Sequence, residues 1–347
     1  MATMKDFSWM HPGSELGVHA TPGPRGLRLE DVDKGSYGEI PMHANGPGFL
    51  PRGAAPALGA SRYGHALDER TQVWAHNVRK LYEEALQRQW SSATDIEWDQ
   101  IKPLPDDLER AMCQLCTFLT EVEFIAGDIP GKWMPNIPDE YYEVKLFLST
   151  QMMDEARHLD VFRKRALVNG GGMLFTRRRG SSGGVGAIGA DNFDEVTLTL
   201  HVLGEGFVQT IFRAGEYLGK SEPEKKIFRL CLQDESRHVA FGTMHLKYLL
   251  ESQPDRRAEV HKYLDYVESQ LSDGAAIGLD VPMSLATLMA GSADRIEEGF
   301  KMVGELNRKV VEEYLQRLSA AGMPERRERL DGNLQRMLRG EVIFDAE

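Results

Sequence analysis

Two short stretches decide how this sequence folds: DEARH at residues 154–158 and DESRH at residues 234–238. Both read Asp-Glu-x-Arg-His. A single Glu-x-x-His is weak evidence, because about one chain in two of this length contains one by chance. Two copies that agree at every fixed position are not explained by chance. Because residues three apart lie on one face of a helix, the glutamate and histidine of each copy can bind the same metal ion.

A further glutamate precedes each motif: Glu123 the first and Glu205 the second. Two antiparallel helices bring residues to the same height when both residues are equally far from the turn. The midpoint between Glu123 and Glu155 is residue 139, inside the turn-like PNIPDE. The midpoint between Glu205 and Glu235 is residue 220, inside LGKSEPE, where Gly219 can end one helix and a Ser-x-x-Glu capping box can begin the next. Both predicted turns fall where a shared metal site requires them.

The pattern therefore predicts four helices that each present an inward carboxylate, two of them with an added histidine. This is the ligand set of di-iron and di-manganese carboxylate bundles. Such ligands suit Fe or Mn better than ions that prefer thiolates, and four buried carboxylates without a metal would repel one another. We predict two iron ions, with a Mn/Fe pair as an alternative. The predicted metal ligands, which are also the predicted catalytic residues, are Glu123, Glu155, His158, Glu205, Glu235 and His238.

Glu121 competes with Glu123 for the first ligand position. Residues two apart point about 200° apart on a helix, so only one of the two can face inward. Glu123 shares its face with small and apolar residues such as Cys116, Leu119 and Gly127. We therefore predict Glu123 as the ligand.

Other polar residues lie beside the predicted ligands. Asp154 and Asp234 each precede a histidine by four residues, and each could accept an imidazole N–H from a neighbouring helix and fix its tautomer. Arg157 and Arg237 could pair with these aspartates, or could be ordinary surface arginines. Three more residues lie one turn from a ligand and could line a substrate pocket, with ordinary core packing as the alternative: His201, Gln209 and Cys231.

The remaining chain reads as helix after helix with short turns, which is the layout of a bundle. Residues 1–66 are rich in Gly and Pro and form either an extended arm or a disordered segment. An amphipathic helix is predicted from Leu67, and further helices at 104–130, 139–169, 191–218, 222–252, 255–272, 281–320 and 325–339. We predict an all-α protein: an N-terminal arm at 1–66 and a ferritin-like domain at 67–347, with additional helices around a four-helix metal core at 104–250.

One connection is long. Residues 170–190 (GGGMLFTRRRGSSGGVGAIGA) separate two predicted helices, and a single long crossover is what a ferritin-like bundle needs between its second and third helices. The segment contains a formal Gly-x-Gly-x-x-Gly match, but no strand precedes it, so we reject a dinucleotide site. The run RRR at 177–179 is predicted to be a solvated loop.

Composition excludes several classes of protein. The 347 residues are 41% hydrophobic and 27% charged, which is ordinary for a globular protein. The net charge of −12 argues against a nucleic-acid binder. We expect no membrane span and no signal peptide, because no apolar run is long enough. Three cysteines are too few for a disulfide framework, and Cys113 and Cys116 are read as buried structural residues, so a cytoplasmic location is expected.

With these residues in place, the chain resembles the ribonucleotide-reductase-like branch of the ferritin superfamily over roughly 104–250. The doubled Asp-Glu-x-Arg-His is similar to the hydroxylase component of bacterial multicomponent monooxygenases. The stretch EFIAGD at 123–128 and the run LGEGF around Glu205 are similar to R2-like ligand-binding oxidases. The resemblance implies a reduced di-iron centre that activates O2, with Glu155 and Glu235 bridging the metals.

The chain also departs from each of these families. Phe162 stands where the reductase small subunit has its radical tyrosine. Leu200 and Ile125 stand where R2-like oxidases have a crosslinked tyrosine and valine. Gln209 replaces the threonine of the monooxygenases, and Cys231 replaces the third histidine of the aminobenzoate-type N-oxygenases. The substrate therefore does not transfer from any of them.

Our working hypothesis is an O2-dependent di-iron monooxygenase that hydroxylates or N-oxygenates a small organic substrate. It would need an electron donor such as a reductase or a ferredoxin, and we expect a homodimer with no nucleic-acid or membrane partner. The alternatives are a di-metal oxidase of the R2-like type and an iron-handling ferroxidase. A non-catalytic scaffold would leave the six ligands unexplained.

Overall fold

The computed structural model describes residues 18–44, residue 52, and residues 67–174, 190–272 and 280–342. Within them the secondary structure is helical, and the only β-type pairings are two isolated bridges. The helices in chain order are α1 (Leu29–Val32), α2 (Val78–Gln87), α3 (Asp106–Trp133), α4 (Tyr142–Val168), α5 (Phe193–Thr197), α6 (Glu205–Arg213), α7 (Gly215–Leu218), α8 (Glu222–Ser252), α9 (Arg257–Ser272), α10 (Asp280–Ala290), α11 (Ile296–Ala320) and α12 (Gly332–Leu338). The all-α prediction is confirmed.

Two helical hairpins form the core of the bundle. Helix α3 packs along α4, and α6 packs along α8, while contacts between α4 and α8 join the hairpins. The first hairpin turns through the 3₁₀ segment Asp139–Tyr141, and the second turns between Leu218 and Glu222. At the second turn the predicted capping box is present: Ser221 caps α8, and its backbone N–H donates to Glu224 Oε2 at 2.9 Å. Both turns therefore lie at the midpoints calculated from the glutamate positions.

A π-helix interrupts the third helix of the bundle. The turn Leu198–Gly204 joins α5 to α6 with the wider hydrogen-bond spacing of a π-helix. Such turns are rare and occur often at functional sites. Sequence periodicity predicted one regular helix at 191–218 and did not detect this turn, which ends immediately before Glu205.

Two other helix predictions are wrong in extent. The amphipathic helix begins at Val78 and not near Leu67, because the preceding chain is bound to the N-terminal arm: the Arg70 backbone N–H donates to the Met42 carbonyl at 2.9 Å. The predicted helix 281–320 is two helices. Gly291 adopts a φ of +76°, a left-handed conformation that ends α10, and Ser292 then caps the 3₁₀ turn that leads into α11.

Part of the N-terminal arm is held on the bundle by buried ion pairs. Arg52 donates to Glu143 Oε1 at 2.7 Å, and Arg79 lies 2.7 Å from Asp33 Oδ2. At Asp33 and Arg52 the N-terminal segment therefore contacts the helical body. Residues 1–17, 45–51 and 53–66 lie outside the described residues.

The predicted crossover lies largely outside the described residues, which stop at 174 and resume at 190. The triple arginine and the Gly-x-Gly-x-x-Gly match both fall in that gap. Among the described helices, none is long and apolar enough to cross a bilayer. Helices α10 and α11 pack on one another, and α10 also packs on α3, so they add a layer to one side of the bundle.

Candidate metal centre

Six buried side chains converge inside the four core helices. Four donors, from Glu123, Glu155, His158 and Glu235, form one group whose ligand atoms all lie within 4.8 Å of one another. Glu155, Glu205, Glu235 and His238 form a second group by the same measure. These are the six residues that the sequence pattern singled out. Glu121 belongs to neither group.

Glu155 and Glu235 belong to both groups. Each therefore has one oxygen near the first position and one near the second, which is the placement of a carboxylate that bridges two ions. Glu123 and His158 complete the first position, and Glu205 and His238 complete the second. The structure thus arranges two adjacent sites with an internal pseudo-symmetry that follows the duplicated motif.

Both imidazoles turn Nδ1 toward the carboxylates. His158 Nδ1 lies 3.2 Å from Glu155 Oε2 and 3.3 Å from Glu235 Oε1. His238 Nδ1 lies 3.0 Å from Glu155 Oε1 and 3.7 Å from Glu205 Oε1. The same nitrogen of each ring therefore faces the centre and is the one that can bind a metal ion.

The opposite nitrogen of each ring faces an aspartate from the other motif. His158 Nε2 lies 3.3 Å from Asp234 Oδ2, and His238 Nε2 lies 3.2 Å from Asp154 Oδ2. Since an ionised carboxylate only accepts hydrogen bonds, each ring must carry its proton on Nε2, which leaves Nδ1 for a metal. Each motif therefore orients the histidine of the other.

Two buried arginines balance the two aspartates. Arg237 Nη2 donates to Asp154 Oδ2 at 2.7 Å and to Asp234 Oδ1 at 2.5 Å. Arg157 pairs with Asp154 and lies 3.1 Å from Asp234 Oδ2. Both arginines are buried, so the reading of them as ordinary surface residues is wrong. The two arginines thus balance the charge of the two aspartates that face the histidines.

Several buried donor atoms of the two groups make no hydrogen bond. They are Glu123 Oε1, Glu155 Oε1, Glu205 Oε2, Glu235 Oε2 and His238 Nδ1, of which Glu155 Oε1 and His238 Nδ1 lie 3.0 Å apart. Buried polar atoms are normally paired. All five point to the same small region, and all are oxygen or imidazole donors. The residues therefore fit a pair of metal ions.

Comparison with solved structures finds the same architecture. An R2-like ligand-binding oxidase variant with an anaerobically reconstituted Mn/Fe cofactor matches with a TM-score of 0.55 and 18% identity, covering 71% of this chain and 94% of that one. A variant with an aerobically reconstituted Fe/Fe cofactor matches with a TM-score of 0.54 and 17% identity over the same shares. The oxidase with an aerobically reconstituted Mn/Fe cofactor after a long soak has a TM-score of 0.54 and 16% identity, covering 71% of this chain and 93% of that one.

This chain has a ferritin-like helical fold. No protein-family model matches its sequence, and no curated protein sequence matches it either. The predicted fold class is thus confirmed by structure.

Burial and neighbouring charges shift the pKa values of three glutamates in this centre. Burial, and then repulsion from Glu155, raises the pKa of Glu123 well above its usual value. Burial likewise raises the pKa of Glu205, and Glu235 and Glu155 add to it. Burial alone would also raise the pKa of Glu155, but the two imidazoles outweigh it and lower this pKa.

The two histidines also hold their protons. Burial works against the charged imidazole, but the negative groups that face each ring raise the pKa of His158 and of His238 well above the usual value. For His158 these groups include Asp234, Glu155 and Glu235, and for His238 they include Glu155 and Glu205. Protons thus supply positive charge that the carboxylates require.

The three residues considered for a pocket have different surroundings. Gln209 donates to Ser236 Oγ at 3.1 Å and contacts no ligand by hydrogen bond. Cys231 is fully buried beside His158, and burial raises the pKa of its thiol well above the usual value. His201 is buried and hydrogen-bonded to Gln151. None of these contacts identifies a substrate.

The sequence analysis did not identify two residues that hydrogen-bond to side chains of the centre. Trp90 Nε1 donates to Asp234 Oδ2 at 2.7 Å, and its ring stacks near that of His158. Gln151 Nε2 donates to Glu205 Oε1 at 2.7 Å. A signal existed for Gln151, because it lies one helical turn before Glu155 on the face that bears the ligands. For Trp90, which belongs to the loop after α2, the sequence held no such signal.

Aromatic rings surround the polar centre. Phe147 lies edge-on to His238 with ring centroids 6.3 Å apart, and Phe212 lies edge-on to His158 at the same distance. Phe162 packs against Phe212. These rings keep water from the histidines and lower the local dielectric, which strengthens every charge interaction in the centre.

Proposed function

We propose that this protein is an O2-dependent di-metal oxidoreductase of the R2-like oxidase type. One observation carries the proposal: two adjacent groups of buried ligands share Glu155 and Glu235. The two groups describe two adjacent ion positions, and the two imidazoles alone do not balance four buried carboxylates.

Either an Fe/Fe or a Mn/Fe pair suits the donors. All six are carboxylate oxygens or imidazole nitrogens, which bind Fe and Mn well. The nearby Cys231 belongs to neither group of ligand atoms. R2-like ligand-binding oxidases with this fold carry Mn/Fe or Fe/Fe cofactors.

The bound pair would supply redox equivalents and Lewis acidity for the reaction with O2. The chain's own residues prepare the site. Asp154 and Asp234 hold the imidazoles with Nδ1 facing inward. Phe147 and Phe212 exclude water beside them. The bundle thus fixes the orientation of these side chains, which lowers the reorganisation needed for metal binding.

The structural comparisons support the oxidase better than the monooxygenase that our working hypothesis placed first. The fold neighbours are oxidases, and no feature of the centre is specific for hydroxylation or N-oxygenation. A small organic substrate, an external electron donor and a homodimeric assembly remain part of the proposal, as predictions from the sequence.

The proposal is tested with a matched pair of variants on one helix. Glu123→Gln removes a ligand, whereas Glu121→Gln changes a carboxylate that belongs to neither ligand group. Metal content is measured by elemental analysis after loading with Fe(II), or with Fe(II) and Mn(II), and O2 uptake is measured with an oxygen electrode after reduction.

We expect about two ions per chain and O2 uptake in the wild-type protein and in Glu121→Gln, and about one ion and little uptake in Glu123→Gln. A wild-type protein that binds two ions but consumes no O2 would refute the oxidoreductase. Many irons per chain in a large assembly would instead indicate iron storage.

A further inference from the structure

A hydrogen-bonded chain leads away from one ligand of the centre and ends inside the π-helix. Glu205 Oε1 accepts from Gln151 Nε2 at 2.7 Å, and Gln151 Oε1 lies 3.0 Å from His201 Nε2. Gln151 and His201 are both buried, with 0% and 1% of their surface exposed, so no water competes for these bonds.

Donor and acceptor roles in this chain are fixed by chemistry. In the ionised form that binds a metal, the Glu205 carboxylate can only accept, so the amide nitrogen of Gln151 must face it. The amide oxygen then faces His201 and must accept, so His201 carries its proton on Nε2. Burial, with the nearby charges of His238 and His245, lowers the pKa of His201 to about 3, and the ring is therefore neutral. His201 orients Gln151, and Gln151 in turn orients Glu205.

The π-helix holds His201 in place. The Cβ of His201 packs directly against α8 at Gly242. A Cβ added at Gly242 would lie only 2.4 Å from the His201 Cβ. The ring also lies edge-on to Phe241, with centroids 5.3 Å apart. The wider π turn and the missing side chain at Gly242 together bring this histidine within reach of Gln151.

The hydrogen bond from Gln151 engages one oxygen of Glu205 and leaves the other without a hydrogen-bond partner. Oε1 is engaged by Gln151, whereas Oε2 is buried and has no hydrogen-bond partner. A carboxylate that is held in this way cannot rotate freely between monodentate and bidentate binding, because rotation would break a buried hydrogen bond.

We propose that Gln151, oriented by His201, is a positioning residue that holds Glu205 by Oε1 and presents Oε2 to the metal ion that Glu205 shares with His238. This inference rests on the proposed di-metal centre. It assigns the two ion positions different environments, because Gln151 bonds to the Glu205 side.

The test uses anaerobic ferrous protein, so it does not depend on the reaction with O2. Gln151→Leu removes the donor while conserving approximate volume. Gln114→Leu is the matched control: Gln114 is a buried helical glutamine whose amide nitrogen has no hydrogen-bond partner. Fe(II) affinities are measured by titration, and the two irons are resolved by Mössbauer spectroscopy.

We expect Gln151→Leu to weaken the binding of one of the two ions by about 10–100-fold and to shift one of the two ferrous signals. The other signal and the Gln114→Leu protein should match wild type. If Gln151→Leu leaves both signals and both affinities unchanged, or alters both signals equally, the positioning role is refuted while the di-metal proposal stands. If wild-type protein binds no pair of ions, the proposed function itself fails.

A double-mutant cycle separates positioning from general packing. His201→Phe should shift the same signal by a smaller amount. The double variant Gln151→Leu/His201→Phe should resemble Gln151→Leu alone, because both substitutions act through the hydrogen bond from Gln151 to Glu205. Gln151→Glu keeps the side-chain length but donates only when protonated. Relative to wild type at the same pH, it should therefore resemble wild type at low pH and Gln151→Leu at high pH. If the signal shifts of the two single variants add up in the double variant, or if the signal of Gln151→Glu does not change with pH relative to wild type, the positioning of Glu205 through Gln151 is contradicted.

Discussion

Metal binding to this centre should release about four protons for each pair of ions. Four groups hold protons that an ion must displace, because the pKa of each is raised: Glu123, Glu205, His158 and His238. A metal needs the ionised carboxylate and the neutral imidazole. Two divalent ions bring four positive charges in exchange for four protons, so the exchange leaves the net charge of a buried centre unchanged.

The direction of the pH dependence follows from the same groups. A raised pKa means that each group keeps its proton to a higher pH than usual, so protons compete with the metal more strongly as the pH falls. With two protons displaced per ion, the logarithm of each binding constant should rise by up to about two for each pH unit, until the groups lose their protons without metal.

The assay is an anaerobic titration with Fe(II) or Mn(II) in weakly buffered solution, with the released acid followed by a pH indicator. We expect up to about four protons per pair of ions at low pH, where all four groups are protonated, and fewer as the pH rises. Glu205→Gln has no carboxyl proton to release and should give about three. Binding that releases less than about one proton per pair, with affinity independent of pH between about 6 and 8, would refute the reasoning.

Three further predictions concern stability and reactivity. Arg237→Met should lower the free energy of unfolding in urea by about 3–5 kcal/mol, because it leaves the negative charges of the buried Asp154 and Asp234 without enough positive charge beside them. The control Arg213→Met removes a partly exposed ion pair and should lower the free energy of unfolding by less than about 1 kcal/mol. An equal loss in both variants would contradict the argument. Gly242→Ala should lower the free energy of unfolding in urea by about 1–3 kcal/mol, since its Cβ would overlap His201. Gly127→Ala, whose Cβ would meet only Glu155 Cβ at 3.5 Å, should be neutral or stabilising in the same assay, and the reverse order would exclude this packing. Cys113, Cys116 and Cys231 are buried, and burial raises the pKa of each, so a thiol reagent should label them only after unfolding; rapid labelling of native protein would show that the bundle opens.

Much of the fold and all six converging ligands could be read from local patterns. Helical periodicity and the i, i+3 spacing are properties of a few consecutive residues, so they survive in the sequence without any tertiary information. The turn positions followed from Glu123 with Glu155 and Glu205 with Glu235, because an antiparallel pair aligns residues that are equally distant from its turn. The helix break at Gly291 was missed, since a glycine inside a long periodic run does not by itself specify a left-handed backbone.

The sequence alone determined that Glu155 with His158, and Glu235 with His238, would each share a helical face, because 3.6 residues per turn is a local constraint. Only the tertiary structure decided that Asp234 faces the Nε2 atom of His158 and that Gln151 hydrogen-bonds to Glu205. Those pairings depend on the rotation and separation of helices from different hairpins. The physical reason is that a hydrogen bond is made over about 3 Å, whereas a sequence pattern specifies only which face of a helix a side chain occupies.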